Sequence, residues 1–344
     1  MKVFMIGGTG LLGSAAASEL IARGHEVKAI ALPPLPEGAV LPAGMSVEYG
    51  NYLEMSDDEI GRRLAGGNAL VFAAGVDERV EFPPPVYDKY IKFNVAPVDR
   101  FLMAARKAGM RKAVILGSYF AYYAKQRPEL ELARHHPYIR ARLAQEETAM
   151  SHNAGYGSGV GGSGFDVMVL ELPYIFGAQP GRKPVWVFLI EQLLAMKGPC
   201  LYTRGGTTMV TVRQVAQCVA GAIEKGRGGV RYPVGWYNME WREMLAIMYR
   251  HMGKPRKRII TVPDFMYTVN ARRVGREYAK RGVEGGLDLV RLVDIQTSNL
   301  FIDPAVIRDE LGVQEDDIDA AIGESVRLSL EAIEGKKLLE MKAE

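Results

Sequence analysis

The chain is nearly without cysteine. Cys200 and Cys218 are the only two in 344 residues. They are too few for a disulfide framework and lack the C-x-x-C spacing of a metal clip, so a reducing cytoplasm is the expected setting. Histidine is also scarce, at five. His135, His136 and His152 are irregularly placed with no cysteine nearby, so no metal site is expected. Long apolar runs are missing too. The most apolar stretch, VWVFLIEQLLAM at 185–196, is broken by Glu191 and Gln192, whereas a membrane span needs roughly 20 apolar residues. No membrane partner is expected on that ground. The opening MKVFMIGGTG passes from a short apolar run straight into glycines, without the longer apolar region and cleavage site of a signal peptide. Neither charge dominates: a net +3 does not by itself argue for nucleic acid.

What is present is the balance of a globular protein, 48% hydrophobic and 24% charged, with a chain long enough for one large domain or two of ordinary size. Residues 2–6, KVFMI, read as a strand. GGTGLLG follows at once, then the helical SAAASELIARG. Gly7, Gly10 and Gly13 are spaced GxxGxxG, with Thr9, Leu11 and Leu12 between them. Such a loop lets backbone approach a pyrophosphate, whose charge sits at the N-terminus of the next helix, and the last glycine lets helix and strand pack closely. A second strand is expected over HEVKAIAL, 25–32. It ends in Ala31, Leu32, Pro33 and Pro34, with neither the acid that takes a ribose hydroxyl nor an arginine for a 2′-phosphate, so NAD and NADP both stay open. NALVFAAG (68–75) reads as a buried strand whose small end residues, Ala73, Ala74 and Gly75, would pass under a cofactor. An amphipathic helix over 90–109 and a strand over 112–118 follow. The alternation predicts an α/β fold with a doubly wound parallel sheet of Rossmann type.

The stretches GGTGLLG, VFAAG at 71–75, FNVAPVDRFLMAARKAGMRKAVILGS at 93–118 and PYIRARLAQEE at 137–147 make the chain resemble the extended short-chain dehydrogenase/reductase superfamily, the epimerase/dehydratase-like proteins. VLELPYIFG at 169–177, MVTVRQVAQCVAGAIEKG at 209–226 and FIDPAVIRDELGV at 301–313 extend the likeness. The resemblance implies residues 1–172 as an NAD(P)-binding domain, with 205–235 returning to it. It implies 173–344 mainly as a smaller C-terminal substrate domain, and a crevice between the two. Asn51, Asn94, Pro173 and Ile175 would join the glycine loop in holding the cofactor.

The superfamily's chemistry uses a serine or threonine, a tyrosine, and a lysine four residues after that tyrosine. Here Tyr138 falls on the tyrosine and Arg142 stands where lysine is usual. Arginine keeps the charge that stabilises a phenolate but replaces a compact ammonium by a planar fork. Tyr119 aligns with the serine position, with Ser118 one residue before it as the substitute. Further departures are Glu171, at a position commonly arginine, and Gln214, at one commonly aspartate.

An NAD(P)-dependent oxidoreductase, epimerase or dehydratase acting on a small organic substrate is the reading that results. Aromatics in the second half (Trp186, Trp236, Tyr237, Trp241, Tyr267) read mostly as core; any facing the crevice beside Tyr119, Phe120 and Tyr122 would favour an apolar or aromatic substrate. The rival classes are a catalytically silent NAD(P)-sensing regulator and an RNA-binding relative. The latter is suggested by the basic run GKPRKR (253–258) and NARRVGREYAKRG (270–282), whose bland reading is a solvated face balanced by the acidic stretch 315–324. The glycine-rich 153–164 reads as a connecting loop. By resemblance, helices over 88–108 and 138–152 would pair with their counterparts in a homodimer.

Overall fold

Val3, Phe4, Met5 and Ile6 are all buried, so the strand they form, β1 (Lys2–Ile6), has both faces covered, as a central parallel strand requires. The computed structural model describes residues 1–32, 40–154 and 164–335. Pro33, Pro34 and most of the glycine-rich run lie outside the described residues. After β1 come α1 (Leu11–Ala22), β2 (Glu26–Ala31), β3 (Ser46–Tyr49), α2 (Asp57–Leu64), β4 (Ala69–Phe72) and β5 (Glu81–Phe82). A long helical stretch then runs through α3 (Val86–Tyr90), a π-turn at Ile91–Val95 and α4 (Ala96–Lys107). It leads into β6 (Lys112–Leu116), α5 (Tyr119–Gln126), α6 (Leu132–His135), α7 (Pro137–Ser151), β7 (Asp166–Glu171), β8 (Tyr174–Phe176) and α8 (Val187–Ala195). The remainder is β9 (Cys200–Tyr202), β10 (Gly206–Thr211), α9 (Val212–Lys225), β11 (Arg231–Pro233), β12 (Tyr237–Glu240), α10 (Trp241–His251), β13 (Ile259–Thr261), α11 (Asp264–Arg281), β14 (Glu284–Gly285), α12 (Val293–Gln296), β15 (Asn299–Leu300), α13 (Ala305–Leu311) and α14 (Ile318–Ile333).

Seven of these strands form one sheet in the order β11-β7-β6-β4-β1-β2-β3, every pairing parallel. The chain winds outward from β1 to β3 on one side, then restarts at β4 and winds out the other way. This is the expected α/β doubly wound, Rossmann-type arrangement, and the reversal between β1 and β4 is the switch point where such sheets take ligands. One face is packed by α1, α9 and α13 through Ala16, Leu20, Val219, Ile223 and Leu311; the other holds Ile60, Phe101, Leu102 and Met150 from α2, α4 and α7.

The predicted helix over 90–109 is real but not uniform. Pro97 has no N–H for the carbonyl four residues back, and the turn just before it is wound as a π-turn. A smaller sheet, β12-β10-β15 with β8 against β10, packs with α8, α10 and α14 around Phe176, Trp186, Trp241 and Tyr249. Gln214, in place of the more usual aspartate, closes a capping box with Thr211 at the start of α9: each backbone N–H donates to the other's side-chain oxygen at 3.1 Å.

Candidate active site

The glycine loop is built by contact as much as by conformation. Gly7 has φ of +82°, and a Cβ there would lie 2.6 Å from the carbonyl oxygen of Ala73. Loops from the ends of β1 and β4 therefore cross at the switch point with no room for a side chain. A Cβ on Gly13 would lie 2.1 Å from the Gly7 carbonyl oxygen, so α1 presses directly on the loop. Gly10 caps α1 without a side-chain bond and the first turn holds no acid, which leaves the N-terminal amides of Leu11 and Leu12 to an anion. This bare, positively polarised cradle fits a dinucleotide pyrophosphate. The carbonyl of Thr9 is held from above by Gln179 Nε2 and Arg182 Nη2, each at 3.2 Å. Burial lowers the Arg182 pKa. Neither partner is legible in the sequence, because nothing local connects residue 9 to residues 170 and 173 positions away.

Along the same rim, Ala74 and Gly75 continue from Ala73, and Gly75 (φ +134°) lies so close to Asn94 that a Cβ would sit 2.5 Å from its Oδ1. Asn94 is fully buried and clamps Val76, accepting from its N–H at 2.8 Å and donating to its carbonyl at 2.9 Å. Asn51 sits just past β3, with Oδ1 accepting from the Leu53 N–H at 3.1 Å. Pro173 precedes β8 and Ile175 is its middle residue, whose carbonyl accepts from Trp186 Nε1 at 2.9 Å.

Tyr138 and Arg142 meet at the start of α7. Pro137 occupies the first turn, where its missing N–H costs nothing. Tyr138 is anchored by its own N–H to the carbonyl of Gly286 at 2.9 Å. One turn on, Arg142 Nε donates to the Tyr138 hydroxyl at 3.0 Å, with both side chains buried. Arg142 Nη1 donates to Gln145 Oε1 at 2.7 Å, and Gln145 Nε2 donates to the Asn94 carbonyl at 2.8 Å. That carbonyl belongs to the π-turn. The buried relay Asn94–Gln145–Arg142–Tyr138 thus fixes the guanidinium so that one donor faces the phenol. The Tyr138 pKa is raised: burial is the largest cause, Arg142 pulls the other way, and Glu78 adds to the rise.

Ser118 and Tyr119 lie at the end of β6 without a hydrogen bond to Tyr138 among the described residues. Ser118 caps α5, its Oγ accepting from the Phe120 N–H at 3.3 Å. The Tyr119 hydroxyl accepts from Thr207 Oγ1 of β10 at 3.2 Å, across to the smaller sheet. Between the two sheets stands an aromatic assembly. Phe120 is 6.3 Å from Tyr138, Tyr119 is 6.1 Å from Tyr174, and Tyr174 is 5.3 Å from Trp186 and 5.5 Å from Trp241, centroid to centroid. Trp186 and Trp241 are themselves core residues. Cys200 and Cys218 are buried thiols with raised pKa.

Charge enters this aromatic space from the loop after β4. Asp77 pairs with Arg79, whose guanidinium lies 5.4 Å from the Phe188 centroid. Burial, then the Asp77 charge, lifts the half-buried Glu78 carboxyl to about 7; Arg79 and Arg142 oppose the rise. Glu78 acts in turn on Tyr90, Tyr119, Tyr138 and Tyr174, which places it among them. A second cluster lies beneath the site: Lys125 Nζ reaches Glu146 at 2.5 Å and Glu171 at 2.6 Å, both carboxylates buried. Burial and the neighbouring Glu171 raise Glu146 to about 8.

Comparison with known proteins agrees with this architecture. A curated relative, the 4-hydroxy-2-methyl-3-oxo-4-farnesyl-3,4-dihydroquinoline-1-oxide ketoreductase of Stigmatella aurantiaca, is 25% identical over 258 residues, 74% of each chain. Among solved structures, gox2253 superposes with a TM-score of 0.73 at 18% identity, covering 98% of this chain and 99% of its own. WbmH of Bordetella bronchiseptica, solved with NAD+, gives 0.65 at 16% identity, covering 98% and 99%. The model of the NAD dependent epimerase/dehydratase family matches residues 3–235. With its glycine cradle at the switch point of a doubly wound sheet, the chain belongs to that family and is an NAD(P)-dependent enzyme.

Proposed function

We propose that the protein is a ketoreductase, with Tyr138 as proton donor, Arg142 as its cationic support and a substrate of apolar or aromatic character. The observation that carries this reading is the buried 3.0 Å contact from Arg142 Nε to the Tyr138 hydroxyl. A nicotinamide bound at the glycine loop supplies the hydride. The rest falls to the chain's own side chains. As the carbonyl carbon gains hydride, its oxygen takes the phenolic proton of Tyr138, giving the alcohol and a phenolate. Arg142 stabilises that phenolate at short range and the site regains its proton from solvent.

The direction follows from electrostatics. Burial outweighs Arg142 and keeps the Tyr138 pKa above that of an ordinary phenol, so at neutral pH the residue holds its proton, the state that reduction needs. Ser118 and Tyr119 each accept one hydrogen bond and keep a hydroxyl proton to donate, which suits either to polarising the carbonyl. Substrate character is read from the ring of Phe120 beside Tyr138 and from Tyr119 and Tyr174, which continue the aromatic row from it. The ketoreductase relative, whose name describes a farnesylated quinoline, supports the same class.

Tyr138→Phe tests the assignment. Reduction of an aromatic ketone panel is expected to fall by about 100-fold or more, while the thermal stabilisation given by NADH or NADPH stays as in the wild type. Retained turnover rejects Tyr138 as the donor.

A further inference from the structure

The helix α11 presents two unlike faces. Tyr267, Ala271, Val274 and Tyr278, spaced four, three and four apart, make the inward stripe: Ala271 is buried and the other three half-buried. Tyr278 lies over β14, where a Cβ on Gly285 would be 3.0 Å from its ring. Tyr267 is within electrostatic reach of Tyr202 and Tyr174, so the N-terminal end of this stripe lies beside the aromatic space of the site. The outward face carries Phe265 (66% exposed) and Val269 (62% exposed), then the exposed Arg272, Arg273, Arg276 and Lys280. Just before the helix, the β9–β13 ribbon adds Leu201 and Ile260, opposed in register and both exposed.

Charge is concentrated here. Residues 253–282 hold nine Lys and Arg against two Asp and Glu, a net of +7, in a chain whose total is +3. The acidic stretch 315–324 does not neutralise it: Asp316 pairs with Arg213, and Asp319 with Arg250 and His251. Within the segment, Asp264 is held by Arg204 and Glu277 by Lys280. Arg272, Arg273 and Arg276 have no ion pair among the described residues.

Exposed apolar side chains at the start of one helix face and unpaired arginines further along it offer a lipid–water interface both of its attachments: the apolar end can enter the acyl boundary while the cations meet anionic headgroups. A nucleic-acid surface accounts for the arginines but leaves Phe265 and Val269 facing water. We propose that α11 docks the protein on anionic membrane surfaces, with Phe265 and Val269 inserted and Arg272, Arg273, Arg276 and Lys280 on the headgroups. No helix among the described residues is long and apolar enough to cross a membrane. Lying on one asks only for a single apolar edge, so the absence of a spanning run, from which no membrane partner was expected, does not bear on it. This inference is independent of the reaction assigned to Tyr138.

The test is co-sedimentation of the full chain with vesicles of phosphatidylcholine alone and of equimolar phosphatidylcholine and phosphatidylserine. Partition onto the anionic vesicles alone, weakened by salt, is expected. Phe265→Glu/Val269→Glu and, separately, Arg272→Glu/Arg276→Glu should each lower that affinity by about tenfold or more, with cofactor-dependent thermal stability unchanged. Equal partition onto both vesicle types, or undiminished binding by the Phe265/Val269 variant, overturns the proposal. So does an RNA oligonucleotide bound where vesicles are not, or a loss of self-association in the Phe265/Val269 variant by light scattering, which would assign the face to a second copy.

Discussion

At the residue scale, the catalytic candidates and their support differ in how far apart the sequence places them. Tyr138 and Arg142 share one helix turn, so their contact is readable from a spacing of four. Gln145 is on the same helix, but its meaning depends on the Asn94 carbonyl, which the chain brings in from 51 positions away. Glu78 carries no signal in the sequence, where it is one acid in a loop; only burial beside Asp77 makes it unusual. Its raised pKa has a definite sign for stability. Between about 4.5 and about 7 the native state holds a proton that the unfolded chain has released, so stability falls as pH rises through that window, and the penalty persists above it. Glu78→Gln removes the penalty. By urea denaturation, the variant should match wild type near the bottom of the window and exceed it by about 1–3 kcal/mol above the window. An equal difference at both ends would show that Glu78 does not titrate in this range.

At the scale of elements, α5, α7 and β7 are joined by a charge arrangement that the sequence alone shows only as an oddity. Glu171 stands at a strand position where arginine is usual. Its partner explains it: Lys125 comes down from α5 and bridges Glu171 to Glu146 of α7. With both carboxyls buried, Lys125 is the cation the two acids share, and Arg231 Nε stands 3.4 Å from Glu146 as a second. Lys125 is itself a third exposed, so Lys125→Met should destabilise the fold by about 1–3 kcal/mol in chemical denaturation, and Glu146→Gln in that background should recover part of the loss. A loss under about 1 kcal/mol would mean that solvent, not Lys125, compensates the pair. The π-turn has the same character. Pro97 announces a break in hydrogen bonding, but not that the widened turn would leave a carbonyl aimed at Gln145.

At the scale of the whole molecule, the helices α4 and α7 pack side by side on the large sheet and still expose Met103, Arg106, Lys107, Arg140 and Glu147. We propose this face as the homodimer surface that the family resemblance implies. Light scattering at micromolar concentration should give twice the chain mass of 37.9 kDa, and a monomer rejects it. The return of α9 and β11 to the large sheet ties the two halves together, since β11 pairs with β7 and α9 packs beside α1.

The strand, glycine loop and helix at the start, the parallel α/β alternation and the four-residue spacing of Tyr138 and Arg142 are written in the chain. Each of these is set by constraints within a few residues: apolar period, glycine at a close approach, and one helix turn. Only in the folded chain does Gln145 meet Arg142, burial push the Glu78 carboxyl up, Lys125 answer Glu171, and α11 turn its apolar edge and its arginines outward. Those outcomes depend on burial and on partners tens of residues distant, and desolvation is a property of the assembled fold rather than of any local stretch.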